Sequence, residues 1–136
     1  MITSGAAAEK MRVIIRAQGG EPRVVDEYEL LPRAAHHREV LTPEAGWVQS
    51  IDTEAIGHAS MLLGAGRARL DTAIDLGVGL TVKARIGDKL ERDSPLATIH
   101  FNDAARAEEA AGNIRNAYTI GPERVDAPQL IKTVLR

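Results

Sequence analysis

The sequence predicts an α+β fold, with mixed strands and two helices in the main domain and one further helix ahead of it. Two observations predict it. Short runs of strand formers and helix-spaced alanines and leucines follow one another in irregular order, with no internal repeat. The 136 residues fit one ordinary domain with a short attached piece, and the 44% apolar share is enough for a core.

The first element is a helix over residues 4–18. Ser4 is placed to accept a hydrogen bond from a first-turn amide, and Ala6, Ala7 and Ala8 are strong helix formers. Ala7, Met11, Ile14 and Gln18 share one face, flanked by Ala8 and Ile15, so the stripe is mostly apolar and calls for a partner. Gly19-Gly20 ends the helix, because glycine takes the left-handed cap conformation at little cost. Residues 21–37 carry Pro22, Pro32 and several charges and read as a linker. An oily helix followed by a linker suggests that the partner lies outside this chain.

From Arg38 the pattern turns to strands. Glu39–Thr42 and Trp47–Ile51 are short and rich in strand formers, separated by Pro43 to Gly46. A helix follows from Thr53 to about Leu63, capped by Asp52 or Thr53, with Ala55, Ile56, Ala59, Leu62 and Leu63 on its buried face. Gly64-Ala65-Gly66 stops it, and Arg67 to Asp75 form a polar loop. Strands are expected at Leu80–Arg85 and Leu96–His100, with a turn at Ile86–Lys89 between them. Asp103 can cap a second helix running to about Tyr118, its inner side formed by Ala107, Ala110, Ala111, Ile114 and Tyr118. Pro128 and an edge strand from Leu130 to Leu135 close the chain.

Composition excludes several classes. With no cysteine there is no disulfide, thiolate metal site or cysteine nucleophile. Seventeen basic against nineteen acidic residues, mixed along the chain, give a net charge of -2 and no basic footprint for nucleic acid or a membrane surface. Apolar runs such as Val13–Ile15 are too short for a bilayer span, and no apolar signal core is visible, so a cytoplasmic protein is expected. One Trp, two Tyr and one Phe leave the core to Ile, Leu, Val, Ala and Met.

The segment Val82 to Ile99 has its own logic. Gly87-Asp88 permits a tight bend in which the aspartate ties down backbone amides, and Asp93-Ser94-Pro95 reverses the chain again. This resembles the second half of a biotinyl or lipoyl carrier domain, a barrel-sandwich hairpin. Such carriers need a modifiable lysine at an exposed tip, and the matching stretch Arg67 to Asp75 has none.

Two stretches are more specific: Gly46 to His100, and Ser4 to Gly20 followed by Val24-Val25-Asp26 and Leu31-Pro32. Their markers are Asp52-Thr53-Glu54-Ala55-Ile56-Gly57, Leu63-Gly64-Ala65-Gly66-Arg67-Ala68, Ile74-Asp75, Val78-Gly79, Gly87-Asp88 and Pro95 to His100. Together they resemble pyrimidine-nucleoside and thymidine phosphorylases along nearly the whole chain. The resemblance implies a hammerhead-like C-terminal domain at 38–136, a linker at 21–37, and at 1–20 the last helix of a preceding α/β domain. It also implies phosphorolysis of thymidine or uridine to base and pentose 1-phosphate by a complete homodimeric enzyme, with no cofactor. Phosphate and nucleoside would be gripped by residues upstream of this chain. No catalytic residue is therefore expected here, and the chain alone is expected to be inactive. The loop holding Gly64, Gly66, Arg67 and Asp75 is the candidate for facing the cleft.

Blander readings compete at each polar motif. His36-His37 read as solvated linker histidines rather than metal ligands, His58 as a surface residue and His100 as a core-edge residue. Gly64-Ala65-Gly66-Arg67 follows a helix, whereas phosphate cradles follow a strand and open a helix, so a helix C-cap is the expected role. Asp71 and Asp75 read as solvated, and Glu108-Glu109 as a wet helix face. Besides the phosphorylase domain, a biotinyl-type carrier and a stand-alone binding module remain as function classes.

Overall fold

The computed structural model describes residues 3–67 and 73–134. The chain divides into two units, Met1–Pro32 and Arg33–Arg136.

In the first unit, helix α1 (Ala6–Ala17) starts later than expected, with Gly5 rather than Ser4 at its N-cap, at φ 73. Glycine reaches that left-handed conformation without a Cβ clash. At the other end the expected glycine stop is present in full. Gly19 has φ 79, its N–H donates to Arg16 O at 3.1 Å, and Gly20 N–H donates to Ile15 O at 2.9 Å. These two bonds satisfy carbonyls that the helix end would otherwise leave open. The segment expected as a linker forms two 3-10 turns, Pro22–Val25 and Tyr28–Leu30. Arg12 holds it to the helix, its Nη2 2.7 Å from Asp26 Oδ1 and its Nη1 3.0 Å from Glu9 Oε2. The hydrogen bond that Arg12 donates to Asp26 is the largest cause of its raised pKa. No residue of α1 is buried, and Met11, Val13 and Ile14 are exposed.

Among its described residues the second unit has two three-stranded antiparallel sheets, two α-helices and a π-helical turn at Met61–Ala65. In one sheet β5 (Pro95–Phe101) lies between β1 (His36–Leu41) and β3 (Gly79–Val82). In the other β2 (Gly46–Ile51) lies between β4 (Lys89–Leu90) and β6 (Tyr118–Gly121). Helices α2 (Thr53–Ser60) and α3 (Ala104–Ala117) pack on each other. Both are capped as the sequence predicts. Asp52 Oδ1 accepts from Ala55 N–H at 3.0 Å, and Asp103 Oδ1 from Ala105 N–H at 2.9 Å and Arg106 N–H at 3.1 Å.

The core joins Val40, Val48, Leu63, Leu90, Leu96 and Ile99 to the alanine face of α3, where Ala107, Ala110, Ala111, Ile114 and Ala117 are buried. Their spacing follows the helical period read in the sequence. The two bends between β3 and β5 also behave as expected. Asp88 Oδ2 accepts from Arg85 N–H at 2.8 Å, while Gly87 N–H donates to Val48 O and Val48 N–H to Asp88 O, both at 2.9 Å. At the second bend Asp93 has φ 64, and Ser94 Oγ accepts from Glu91 N–H at 3.0 Å.

Three expectations need correction. Strand β1 begins at His36, so the two histidines belong to a strand rather than a linker. Tyr118 opens β6 instead of closing α3, because the aromatic and β-branched run Tyr118-Thr119-Ile120 finds pairing partners along β2. Residues 130–134 form no strand: Leu130, Ile131 and Val134 lie open to solvent, and an edge strand needs a ladder to join. Leu135 lies outside the described residues.

Candidate functional site

The candidate loop begins where α2 fails. The helix widens over Met61–Ala65 and is broken by Gly64, at φ 107 and ψ 3. The buried Leu63 anchors the last apolar turn, and the glycine lets the chain leave the helix axis. Gly64-Ala65-Gly66 thus terminates a helix, in line with the C-cap role. Gly66 is extended, at φ -140 and ψ 169, and a Cβ there would sit 3.2 Å from Met61 Cγ. Arg67 is exposed. Asp71 lies outside the described residues.

The loop returns at Asp75, whose N–H donates to Gly64 O at 3.0 Å. Gly64 and Asp75 are therefore brought together, and a Cβ at Gly64 would stand 3.8 Å from that of Asp75. Both oxygens of the Asp75 carboxylate are engaged. Its Oδ1 accepts from Gly77 N–H at 2.9 Å and its Oδ2 from Asn102 Nδ2 at 2.7 Å. Asn102 Oδ1 in turn accepts from Ala35 N–H at 2.7 Å. The Gly77 amide first, and Asn102 second, hold the Asp75 carboxyl below its usual range. Asp75 is exposed yet structurally bonded, a role the solvated reading did not include. Gly77 sits where a Cβ would lie 2.7 Å from Arg33 C, so only glycine fits.

Asn102 is the residue that sequence reasoning missed. It stands 27 residues from Asp75, and no periodic signal links the two. The only hint was its place between a strand and the Asp103 cap.

The remaining polar candidates do not converge. Rings of His36 and Phe101 are 5.5 Å apart, and those of His37 and His100 6.3 Å, as cross-strand neighbours on β1 and β5. His58 lines an open groove with Asp52, Glu54, Asn113 and Asn116. Glu108 is not merely wet: its Oε2 accepts from Arg38 Nη1 at 3.0 Å. Among the described residues no group of three or more His, Asp or Glu is placed to hold a metal ion, and no helix is long and apolar enough to cross a membrane. Arg12, Arg23 and Arg38 are each paired to carboxylates.

The chain as a whole is similar to known proteins. A family model described as the pyrimidine nucleoside phosphorylase C-terminal domain matches residues 47–121, from the second residue of β2 to the end of β6. A pyrimidine-nucleoside phosphorylase of Bacillus subtilis (strain 168) is 38% identical over 135 residues, covering 99% of this chain and 31% of that protein. One from Staphylococcus aureus (strain USA300) is 38% identical over 134 residues, covering 98% of this chain and 30% of that protein. The chain spans less than a third of the length of the curated relatives it matches.

Proposed function

Because the chain belongs to the pyrimidine nucleoside phosphorylase family, through its C-terminal domain, we propose that it is the supporting lobe of an enzyme that phosphorolyses pyrimidine nucleosides. The observation that carries this reading is the family match over residues 47–121, joined to near-complete coverage of the chain by relatives of that name. The substrates of the complete enzyme are phosphate and thymidine or uridine, and the complete enzyme is a cytoplasmic homodimer.

The chemistry sets the division of labour. Phosphorolysis needs a site that fixes the phosphate beside the sugar and donors that stabilise the departing pyrimidine. A mechanical role fits that division: the unit from Arg33 onward forms a wall of the enzyme, residues 1–20 are the last helix of an α/β domain and residues 21–32 connect them. The exposed Met11, Val13 and Ile14 suit a helix whose packing partner belongs to that domain. Gly64, Gly66, Arg67 and Asp75, at the described ends of the 64–75 loop, face the cleft and help the closed state.

In finer detail, the bends at Gly87-Asp88 and Asp93-Ser94 support a hammerhead-like domain with a barrel-sandwich hairpin. A carrier function is not favoured: no lysine lies between Gly64 and Asp75.

The test is a graft. This chain replaces the matching C-terminal segment of the Bacillus subtilis enzyme, and phosphate-dependent release of thymine and uracil is measured. The graft is expected to release base, whereas the truncated enzyme and this chain alone release none. A graft no better than the truncation, or turnover by the isolated chain, overturns the reading.

A further inference from the structure

Three large apolar side chains stand in water within five residues of chain. Leu130, Ile131 and Val134 are 97%, 70% and 72% exposed, and among the described residues only Leu76, at 76%, is comparably open. Each gives up the stabilisation that burial would bring, and a contiguous set of such side chains marks a contact surface where scattered ones do not. Ile131, Thr133 and Val134 are also β-branched, which suits a covered strand, yet no ladder meets them in this unit.

The tail leaves the unit from a fixed point. An added Cβ at Gly87 would meet Val125 O at 3.2 Å and Ala127 N at 3.0 Å, so residues 125–127 lie directly on that bend. Ala127 and Pro128 then line an apolar groove of about 350 Å³ together with Ile51, Val82, Ala84 and Ile86. Leu130 stands at its rim, and Ile131 and Val134 beyond it are open to solvent.

What covers the tail is indicated by where the two matches stop. The family model of the C-terminal domain ends at residue 121, so residues 130–134 lie outside it, whereas the match to the Bacillus subtilis relative covers 99% of this chain. The tail thus goes with the whole enzyme rather than with the domain body. That match takes in 31% of the relative, so the larger part of the relative's polypeptide lies outside it.

We infer that residues 130–134 are a docking tail for that larger, unmatched part of the enzyme, which offers Leu130, Ile131 and Val134 an apolar surface. This rests on the family reading. The occupant is the enzyme's own polypeptide and not a second copy of this chain.

The double variant Ile131→Asp with Val134→Asp tests it, in this chain alone and in the graft onto the Bacillus subtilis enzyme. In the chain alone both positions are open, and the melting temperature is expected to stay unchanged. In the graft the new charges meet an apolar surface, and the melting temperature is expected to fall by about 5 °C or more. Hydrogen exchange gives a second reading. The amides of residues 131–134 are expected to exchange about a hundredfold more slowly in the unmutated graft than in the chain alone. Equal exchange in the two, or a double-variant graft as stable as the unmutated one, overturns the docking. A dimer of the chain alone that the double variant dissolves assigns the tail to a second copy and overturns it as well. Base release by the unmutated graft reports separately on the family reading.

Discussion

The hydroxyl of Tyr118 lies 3.2 Å from the carbonyl oxygen of Ala84, in the buried heart of the second unit. The same hydroxyl is 3.3 Å from Leu96 O, so the first residue of β6 reaches the chain between β3 and β4 and the second residue of β5. One side chain thereby bonds to backbone belonging to the other sheet's hairpin. Replacing Tyr118 with Phe keeps the ring and removes the donor, leaving buried carbonyls without that partner. The expected loss is about 1–3 kcal/mol of stability, read from the urea midpoint.

The same burial gives Tyr118 a pH signature. Desolvation, and secondarily the charge of Asp88, push its phenol above the ordinary value. The neutral form is the one the fold tolerates. The stability it contributes is complete below the unfolded pKa and is lost as pH rises through the folded one. In a Tyr28→Phe background, where Tyr118 is the remaining tyrosine, ultraviolet titration should show ionisation beginning above the range of free tyrosine. Ionisation at the free-tyrosine position would contradict the buried placement.

Gly87 carries a steric prediction. It has φ 94, and an added Cβ would meet Ala127 N at 3.0 Å and Val125 O at 3.2 Å. Both neighbours are backbone and yield little. Gly87→Ala therefore combines a left-handed conformation with a close contact, and should cost about 1–3 kcal/mol. Asp93, the non-glycine residue at φ 64, offers the converse: Asp93→Gly should be neutral or slightly stabilising in the same denaturation assay.

Core and tail should respond very differently to truncation. Ile114 is fully buried on the inner face of α3, whereas Leu130 is 97% exposed. Ile114→Ala should cost about 2–5 kcal/mol, because its neighbours cannot fill the space. Leu130→Ala should fall within about 0.5 kcal/mol of the parent. Equal effects would mean that the tail is packed in solution.

The contrast between Ile114 and Leu130 also marks what the sequence makes legible. Local chemistry is readable: Asp52 and Asp103 as caps, Gly19-Gly20 as a stop and Gly87-Asp88 as a bend each act through neighbours a few residues away. Periodicity gave the buried face of α3 in the same way. What failed depends on distant partners. Tyr118-Thr119-Ile120 is a strand because β2 lies beside it, and residues 130–134 are not a strand because no ladder meets them. In the candidate loop, Gly64 showed itself through the helix it ends. Asn102 did not, since its meaning exists only after folding brings β5 beside Asp75.

Asp75 makes the loop sensitive to acid, and the sign is fixed by its bonds. Its carboxylate accepts from Gly77 N–H and Asn102, which favour the charged form and depress the pKa below the ordinary value of 3.8. For an acid of this kind the stabilisation is present above the unfolded pKa and fades as pH falls through the folded one. The Asp75 anchor should therefore hold throughout the neutral range and weaken only below the ordinary aspartate region. Carbon-detected NMR titration of the Asp75 carboxyl should show a midpoint lower than that of an unstructured aspartate. In Asn102→Ala the Gly77 bond remains and the second bond is gone, so the midpoint should move part of the way back. A midpoint already at the unstructured value in the parent chain would mean that neither hydrogen bond persists in water. The returning arm of the loop would then lack the anchor that this geometry gives it.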